Sequence, residues 1–203
     1  MNWTAIVPLK AAAERKQRLS AVLGLHERVA LSEAMARHVL ATLGAVPAIA
    51  DVHLLSPEPL DGVEVHWLPD DGAELNVALE TAVSTFGAHP VLIVHADLPL
   101  LDAADVQCLI DGTATTGRAI AGNRHGQGTN AIALADPRGF HFHFGTDSLN
   151  RHLAEAGPTC ALIERTGLAF DCDTPADLEA IRAIRADYAA GRPVMRMPEP
   201  GTL

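Results

Sequence analysis

A chain of 203 residues is long enough for one domain with a full core, and 48% of its residues are apolar. The net charge of −10 argues against nucleic acid as a partner, and no apolar run approaches the roughly 20 residues that span a bilayer. Cys108, Cys160 and Cys172 show no paired spacing and the opening segment lacks the features of a secretory leader, so a reduced, cytoplasmic protein is expected.

Short apolar runs alternate with amphipathic stretches, the pattern of an α/β fold in which helices cover a parallel sheet. The first strand, residues 5–8, runs into the loop Leu9-Lys10-Ala-Ala-Ala-Glu14-Arg15-Lys16-Gln17-Arg18-Leu19. Lys10 and Lys16 are the only lysines in the chain, and removing this loop leaves 11 of the 15 basic residues against 24 of the 25 acidic ones. An anionic ligand is therefore drawn to one local positive site on a repelling body, which favours a small ligand over a polymer. Lysine supplies a compact point charge that arginine does not replace, so the loop reads either as a polyphosphate cradle or as a solvated basic turn.

A helix is predicted at 25–43, where Val29, Ala30, Ala34, Val39, Leu40 and Leu43 recur at helical intervals. Strands follow at 52–56 and 63–68. The junction Asp70-Asp71-Gly72-Ala73-Glu74-Leu75-Asn76 then opens a helix at 74–86, with Asn76 placed to read a nucleobase edge or to face solvent.

The run Val91-Leu92-Ile93-Val94 marks a strand, 91–96, buried on both faces. It ends in Asp97-Leu98-Pro99. A carboxylate at the C-terminal end of a central parallel strand lies where open α/β sheets bind ligands. Capping of the next helix, 103–111, falls more naturally to Asp102, which leaves Asp97 for function.

Between strands 119–122 and 130–134 lies Asn123-Arg124-His125-Gly126-Gln127-Gly128. Its glycines would let backbone amides approach an anion, with Thr129 and Asn130 as side-chain donors; a plain hairpin is the alternative. Phe140, Phe142 and Phe144 alternate with His141 and His143, which puts both histidines on one polar face without a third zinc ligand. Gly145-Thr146-Asp147-Ser148 opens a helix at 148–155, whose N-terminus offers N–H groups to an anion or is capped by Asp147.

Further strands are expected at 161–165 and 168–171 and a last helix at 176–190. In Asp171-Cys172-Asp173-Thr174-Pro175 the two carboxylates share a face of extended backbone, which suits a divalent cation with hard oxygen ligands. A helix start at Asp173 or Thr174, with Asp177 near the dipole, explains one acid and leaves Asp171 unexplained. Residues 191–203 read as a loose tail after a single domain, 1–190.

Together, Val-Pro-Leu-Lys10 with Lys16-Gln-Arg18-Leu, Ala96-Asp97-Leu-Pro, Gly128-Thr129-Asn130, Phe144-Gly145 with Ser148, and Asp171-Cys-Asp173-Thr-Pro resemble the guanylyltransferase family that makes a precursor of the deazaflavin coenzyme F-420. The resemblance spans roughly residues 3–190 and implies a three-layer α/β/α sandwich of Rossmann-like nucleotidyltransferase type. It also implies transfer of GMP from GTP to 2-phospho-L-lactate, phosphoenolpyruvate or 3-phospho-D-glycerate, with release of diphosphate. By motif, Asp97, Asp171 and Asp173 would hold Mg²⁺, and Lys10, Lys16 and Arg18 would cradle the triphosphate beside Asn76. Lys10 and Asp97 would then be central to catalysis, and Thr129, Gly145 and Ser148 would bind the phosphorylated acid. A homodimer is compatible with this reading. The alternatives are a molybdopterin- or sugar-nucleotide transferase of the same fold, or a non-catalytic nucleotide-binding module.

Overall fold

A computed structural model describes residues 2–14 and 16–189, so the expected tail at 191–203 lies outside the described residues. Seven strands form one sheet: β1 (Trp3–Pro8), β2 (Ile49–Ser56), β3 (His66–Pro69), β4 (Val91–Val94), β5 (Arg118–Gly122), β6 (Thr129–Leu134) and β7 (Ala161–Leu162). Their spatial order is β3-β2-β1-β4-β6-β5-β7. Among the described residues the α-helices are α1 (Leu25–Gly44), α2 (Leu75–Ser84), α3 (Ala103–Thr116), α4 (Ser148–Ala156), α5 (Thr166–Ala169) and α6 (Pro175–Ala189).

Burial divides by strand parity, as the period of two requires. Leu92 and Val94 join Ala5, Val7, Ala119, Ala121, Ala131 and Ala133 on one face, against Val39, Leu40 and Leu43 of α1 and Val106 and Leu109 of α3. Val91 and Ile93 join Ile6, Ile120, Ile132 and Leu134 on the other, under Leu79 and Val83 of α2, Leu149 of α4 and the phenylalanines 140, 142 and 144. All four residues of β4 are fully buried, and each contributes roughly 1.5–3 kcal/mol by leaving water.

The expected parallel sheet is a mixed one. The strands β1, β2, β3 and β4 are parallel, whereas β6 runs antiparallel to both β4 and β5. The short polar link 123–128 is the cause, because it is too short for a parallel crossover and closes a hairpin. As a result, the C-terminal ends of β1, β4 and β5 and the N-terminal end of β6 share one edge.

Two predicted strands are shorter than expected, with pairing confined to His66–Pro69 and Ala161–Leu162. The segment expected as a strand at 168–171 instead begins in the single turn α5. Its carbonyls are held from the sheet, Leu168 O by Asn130 Nδ2 at 2.9 Å and Ala169 O by the Arg124 amide at 2.8 Å. The alternation at 140–144 holds without sheet pairing, since the three phenylalanines are buried and His141 is exposed. Among the described residues, no helix is long and apolar enough to cross a membrane.

Candidate active site

Strand β1 ends at Pro8, and the lysine loop folds back over the sheet edge through two short 3-10 turns, Ala12–Glu14 and Gln17–Leu19. Buried Leu19 anchors it in a third cluster with Met35, Phe170, Cys172 and Ile181. Lys16 takes up a left-handed conformation, φ 52°, which costs a non-glycine residue roughly 1–2 kcal/mol. That conformation turns its ammonium inward.

Lys16 Nζ donates to Asp97 Oδ2 at 2.5 Å and to Asp173 Oδ1 at 2.9 Å. Asp97 follows β4, and its carbonyl accepts from the Cys172 amide at 3.1 Å, which ties the segment 171–173 to the strand end. Residues from three distant stretches thus meet at the carboxyl edge of the parallel strands, where α/β sheets bind ligands.

The electrostatics are strongly coupled. Burial alone would raise the Asp97 carboxyl, but the Lys16 ammonium outweighs it and holds Asp97 below its ordinary value. Lys16 itself is raised, because Asp97 and Asp173 overcome the burial that would lower it. Asp171 moves the other way, to about 6, through burial first and then repulsion from Asp97 and Asp173.

Two oxygens stand out. Asp97 Oδ1 and Asp171 Oδ1 are buried without a hydrogen-bond partner, although buried polar atoms are nearly always satisfied. Two such carboxylate oxygens, with Asp173 beside them, form the hard-oxygen donor set that suits a divalent cation. The residues therefore fit Mg²⁺ in chemistry. They do not form a closed cage: among the described residues no group of three His, Cys, Asp or Glu side chains stands at metal-holding distances, and the Lys16 ammonium lies between Asp97 and Asp173.

Lys10 is exposed on the same edge, close enough for its charge to act on His95. Arg18 extends into solvent, with Nη1 3.7 Å from Asp173 Oδ2. The capping expectation is met at Asp102, whose side chain accepts from the Asp105 amide at 2.8 Å. At α6, Thr174 and Asp177 cap reciprocally, and Asp177 also accepts from the guanidinium of Arg124. Asp171 and Asp173 are therefore not needed to start that helix.

On the far side of β4, Thr129 opens β6 and Ser148 opens α4. The Thr129 amide donates to Ser148 Oγ at 2.9 Å, and both residues are 2% exposed. Gly122 leaves room for the Leu149 side chain, since a Cβ there would stand 2.7 Å from Leu149 Cδ2. Gly145 has φ +122°, a conformation only glycine takes readily.

Three expectations meet a different arrangement. The amides of Gln127 and Gly128 do not await an anion, because Asn123 Oδ1 accepts from both at 3.2 and 3.0 Å. The Asp147 side chain does not cap the helix and instead accepts from Asn150 Nδ2 at 2.7 Å. The Asn76 amide pairs with the Phe144 backbone, accepting from its N–H at 2.7 Å and donating to its carbonyl at 3.1 Å. Its recognition edge thus fastens the phenylalanine segment to α2.

Two histidines also stand at the site, His152 with no motif to announce it and His95 beside the Ala96-Asp97-Leu-Pro turn. Fully buried His152 touches Thr129, a placement signalled only by its position one turn after Ser148. His95 keeps a buried Nε2 without a partner and packs against Phe144 at 4.9 Å. No spacing rule marks it.

Comparison with known proteins identifies the family. A family described as "Guanylyl transferase CofC like" matches residues 3–184. The chain belongs to the CofC-like guanylyl transferase family. The phosphoenolpyruvate guanylyltransferase of Sphaerobacter thermophilus is 37% identical over 192 residues, covering 89% of this chain and 93% of that protein. The enzyme of the same name from Conexibacter woesei is 36% identical, covering 94% and 92%.

Solved structures agree on the fold. A nucleotidyl transferase from Methanothermobacter thermautotroptrophicus has a TM-score of 0.62 at 15% identity, covering 89% of this chain and 96% of that one. The 4-diphosphocytidyl-2C-methyl-D-erythritol synthase of Anaerococcus prevotii scores 0.63 at 10% identity, covering 91% and 96%. The family member described here is thus an enzyme of the nucleotidyltransferase class with the nucleotidyltransferase fold.

Proposed function

We propose that this guanylyltransferase joins GMP from GTP to the phosphate of phosphoenolpyruvate and releases diphosphate. A phosphate oxygen of the acid attacks the α-phosphorus of GTP, a new P–O–P link forms, and the bond from the α-phosphorus to the diphosphate oxygen breaks. The observation that carries this reading is the pairing of two features along one sheet edge. Unsatisfied carboxylate oxygens of Asp97 and Asp171 face a lysine loop on one side of β4, and the hydroxyls of Thr129 and Ser148 lie on the other. The names of the relatives favour phosphoenolpyruvate among phosphorylated acids.

Asp97, Asp171 and Asp173 would hold Mg²⁺, which, when bound, polarises the α-phosphate and offsets the charge of two approaching anions. Lys16 leaves its carboxylate partners for the triphosphate in this reading, and Lys10 and Arg18 add positive charge where diphosphate departs. Thr129, Ser148 and the Gly145 backbone orient the acid. Holding two anions in line accounts for the catalysis, and no covalent nucleophile is needed. Cys172 agrees with this, since burial pushes its thiol up to about 11, away from the reactive thiolate.

The test is the purified protein with GTP, Mg²⁺ and, separately, phosphoenolpyruvate, 2-phospho-L-lactate and 3-phospho-D-glycerate. Diphosphate release only when an acid is present, fastest with phosphoenolpyruvate and with a guanylylated acid found by mass, is the expected result. GTP bound without acid-dependent release would point instead to a nucleotide-binding module.

A further inference from the structure

His152 lies one helical turn after Ser148 and has no exposed surface. Phe140 stacks on it at 6.2 Å and Phe144 meets it edge-on at 4.7 Å, so the ring is held between two aromatic walls. Its nitrogens face different partners. The His143 backbone N–H donates to Nε2 at 2.7 Å, which requires a lone pair on that nitrogen. A neutral imidazole carries one hydrogen, so it must reside on Nδ1. Burial, reinforced by the nearby His143, His95 and Arg151, brings the ring's pKa down to about 4 and keeps it neutral.

Nδ1 is 2.9 Å from Thr129 Oγ1, and the Ser148 carbonyl also faces the ring. The Thr129 hydroxyl is therefore an acceptor toward His152. Ser148 Oγ is likewise an acceptor, toward the Thr129 amide. A hydroxyl has one hydrogen to give, and in both cases the protein uses only the lone pairs. Two adjacent hydroxyls are thus left with their hydrogens available to a third group.

We propose that His152 is a positioning residue that sets the polarity of the acid site. Donating from Nδ1, it fixes Thr129 as a donor alongside Ser148, and the pair selects a group that only accepts, a carboxylate, over one that must also donate, such as a carboxamide. The inference rests on the placement of the acid at Thr129 and Ser148 given above. It also gives the alternating His-Phe segment a role, because that segment delivers the His143 amide to Nε2 and so chooses the tautomer.

Long-range ¹⁵N correlation NMR on the full-length protein should show His152 with a protonated Nδ1 and an unprotonated Nε2. The opposite pattern would overturn the proposal. In kinetics, His152→Leu should raise KM for phosphoenolpyruvate about tenfold, the effect of a misdirected hydrogen bond, and leave KM for GTP unchanged. The variant should also lose discrimination against the carboxamide analogue. His152→Asn, whose amide nitrogen stands near the Nδ1 position, should restore most of both.

An unchanged acid KM in His152→Leu overturns the proposal alone. If that variant does not fold, the tautomer and the wild-type preference decide, and a wild type that takes carboxamide as readily as carboxylate overturns it. No acid-dependent diphosphate release from the wild type would overturn the proposed function first, and this inference with it.

Discussion

The two sides of β4 handle polar groups in opposite ways. Toward β1, the carboxylates of Asp97 and Asp171 each keep a buried oxygen without a partner, and a strained lysine lies between Asp97 and Asp173. Toward β6, Thr129, Ser148 and His152 are almost wholly buried, and their hydrogen bonds form an ordered relay. An unsatisfied, charged half stores a preference for a ligand that carries charge, whereas a half whose lone pairs are satisfied, with hydroxyl hydrogens still to give, is already shaped for its ligand. In the proposed function, neutralisation is thus separate from recognition, and one strand end serves both.

The largest expected effect breaks the charged half. Asp97→Asn removes the carboxylate that balances Lys16, and turnover should fall by about 10²-fold or more, as when an electrostatic stabiliser is lost from a reaction site. Steady-state rates, with circular dichroism to verify the fold, measure it. Near-normal turnover would show that the orphaned oxygen of Asp97 plays no part in the chemistry.

Asp177 sharpens the contrast within a single loop. It is as buried as Thr129, yet Arg124 and Thr174 satisfy it, and they outweigh burial to hold its carboxyl at about 2. A depressed acid stabilises the fold above its unfolded value and loses that contribution as pH falls through the folded one. Asp177→Asn should therefore cost roughly 2 kcal/mol at pH 7, and the difference from wild type should shrink between about pH 4 and pH 2. Urea denaturation across that range tests it, and a gap that persists at pH 2 would contradict the assignment.

The satisfied half predicts a milder and more selective loss. Thr129→Val keeps the shape of the side chain and removes the hydroxyl, so KM for the acid should rise about tenfold while KM for GTP stays the same. Competition between the acid and its analogues gives the ratio directly. An equal rise in both constants would mean that Thr129 supports the whole crevice and not one ligand.

The charged half was far more legible in the sequence than the satisfied one. Asp97 could be found because four buried residues precede it and Pro99 ends the ladder, and Asp171 because capping of α6 left it unexplained. Lys16 is marked by the rarity of lysine in this chain. Its position between two carboxylates was not legible, since it depends on a left-handed turn at a residue other than glycine. The β5–β6 link could be read only as one of two alternatives, because glycines serve an anion loop and a hairpin equally. His152 was invisible for a different reason. Its importance comes from the His143 amide and Thr129, contacts made by folding a segment without regular structure over α4.

The smallest expected effect bears on the comparison most directly. Burial and the repulsion of Asp97 and Asp173 raise Asp171 to about 6, so at pH 7 to 8 the folded protein holds an ionised carboxyl that would be better solvated in the unfolded chain. An acid raised on folding destabilises the fold above the folded value, and the penalty disappears as pH falls below the unfolded one. Asp171→Asn should therefore stabilise the ligand-free protein by about 1 kcal/mol at pH 8, and the gain should vanish near pH 4. The same variant should lose turnover, and Mg²⁺ should no longer raise its melting temperature. A site residue whose removal strengthens the empty fold while abolishing the reaction is one held in place against stability. If Asp171→Asn instead weakened the fold at pH 8, its free oxygen would have a partner within the protein, and the two sides of β4 would be alike.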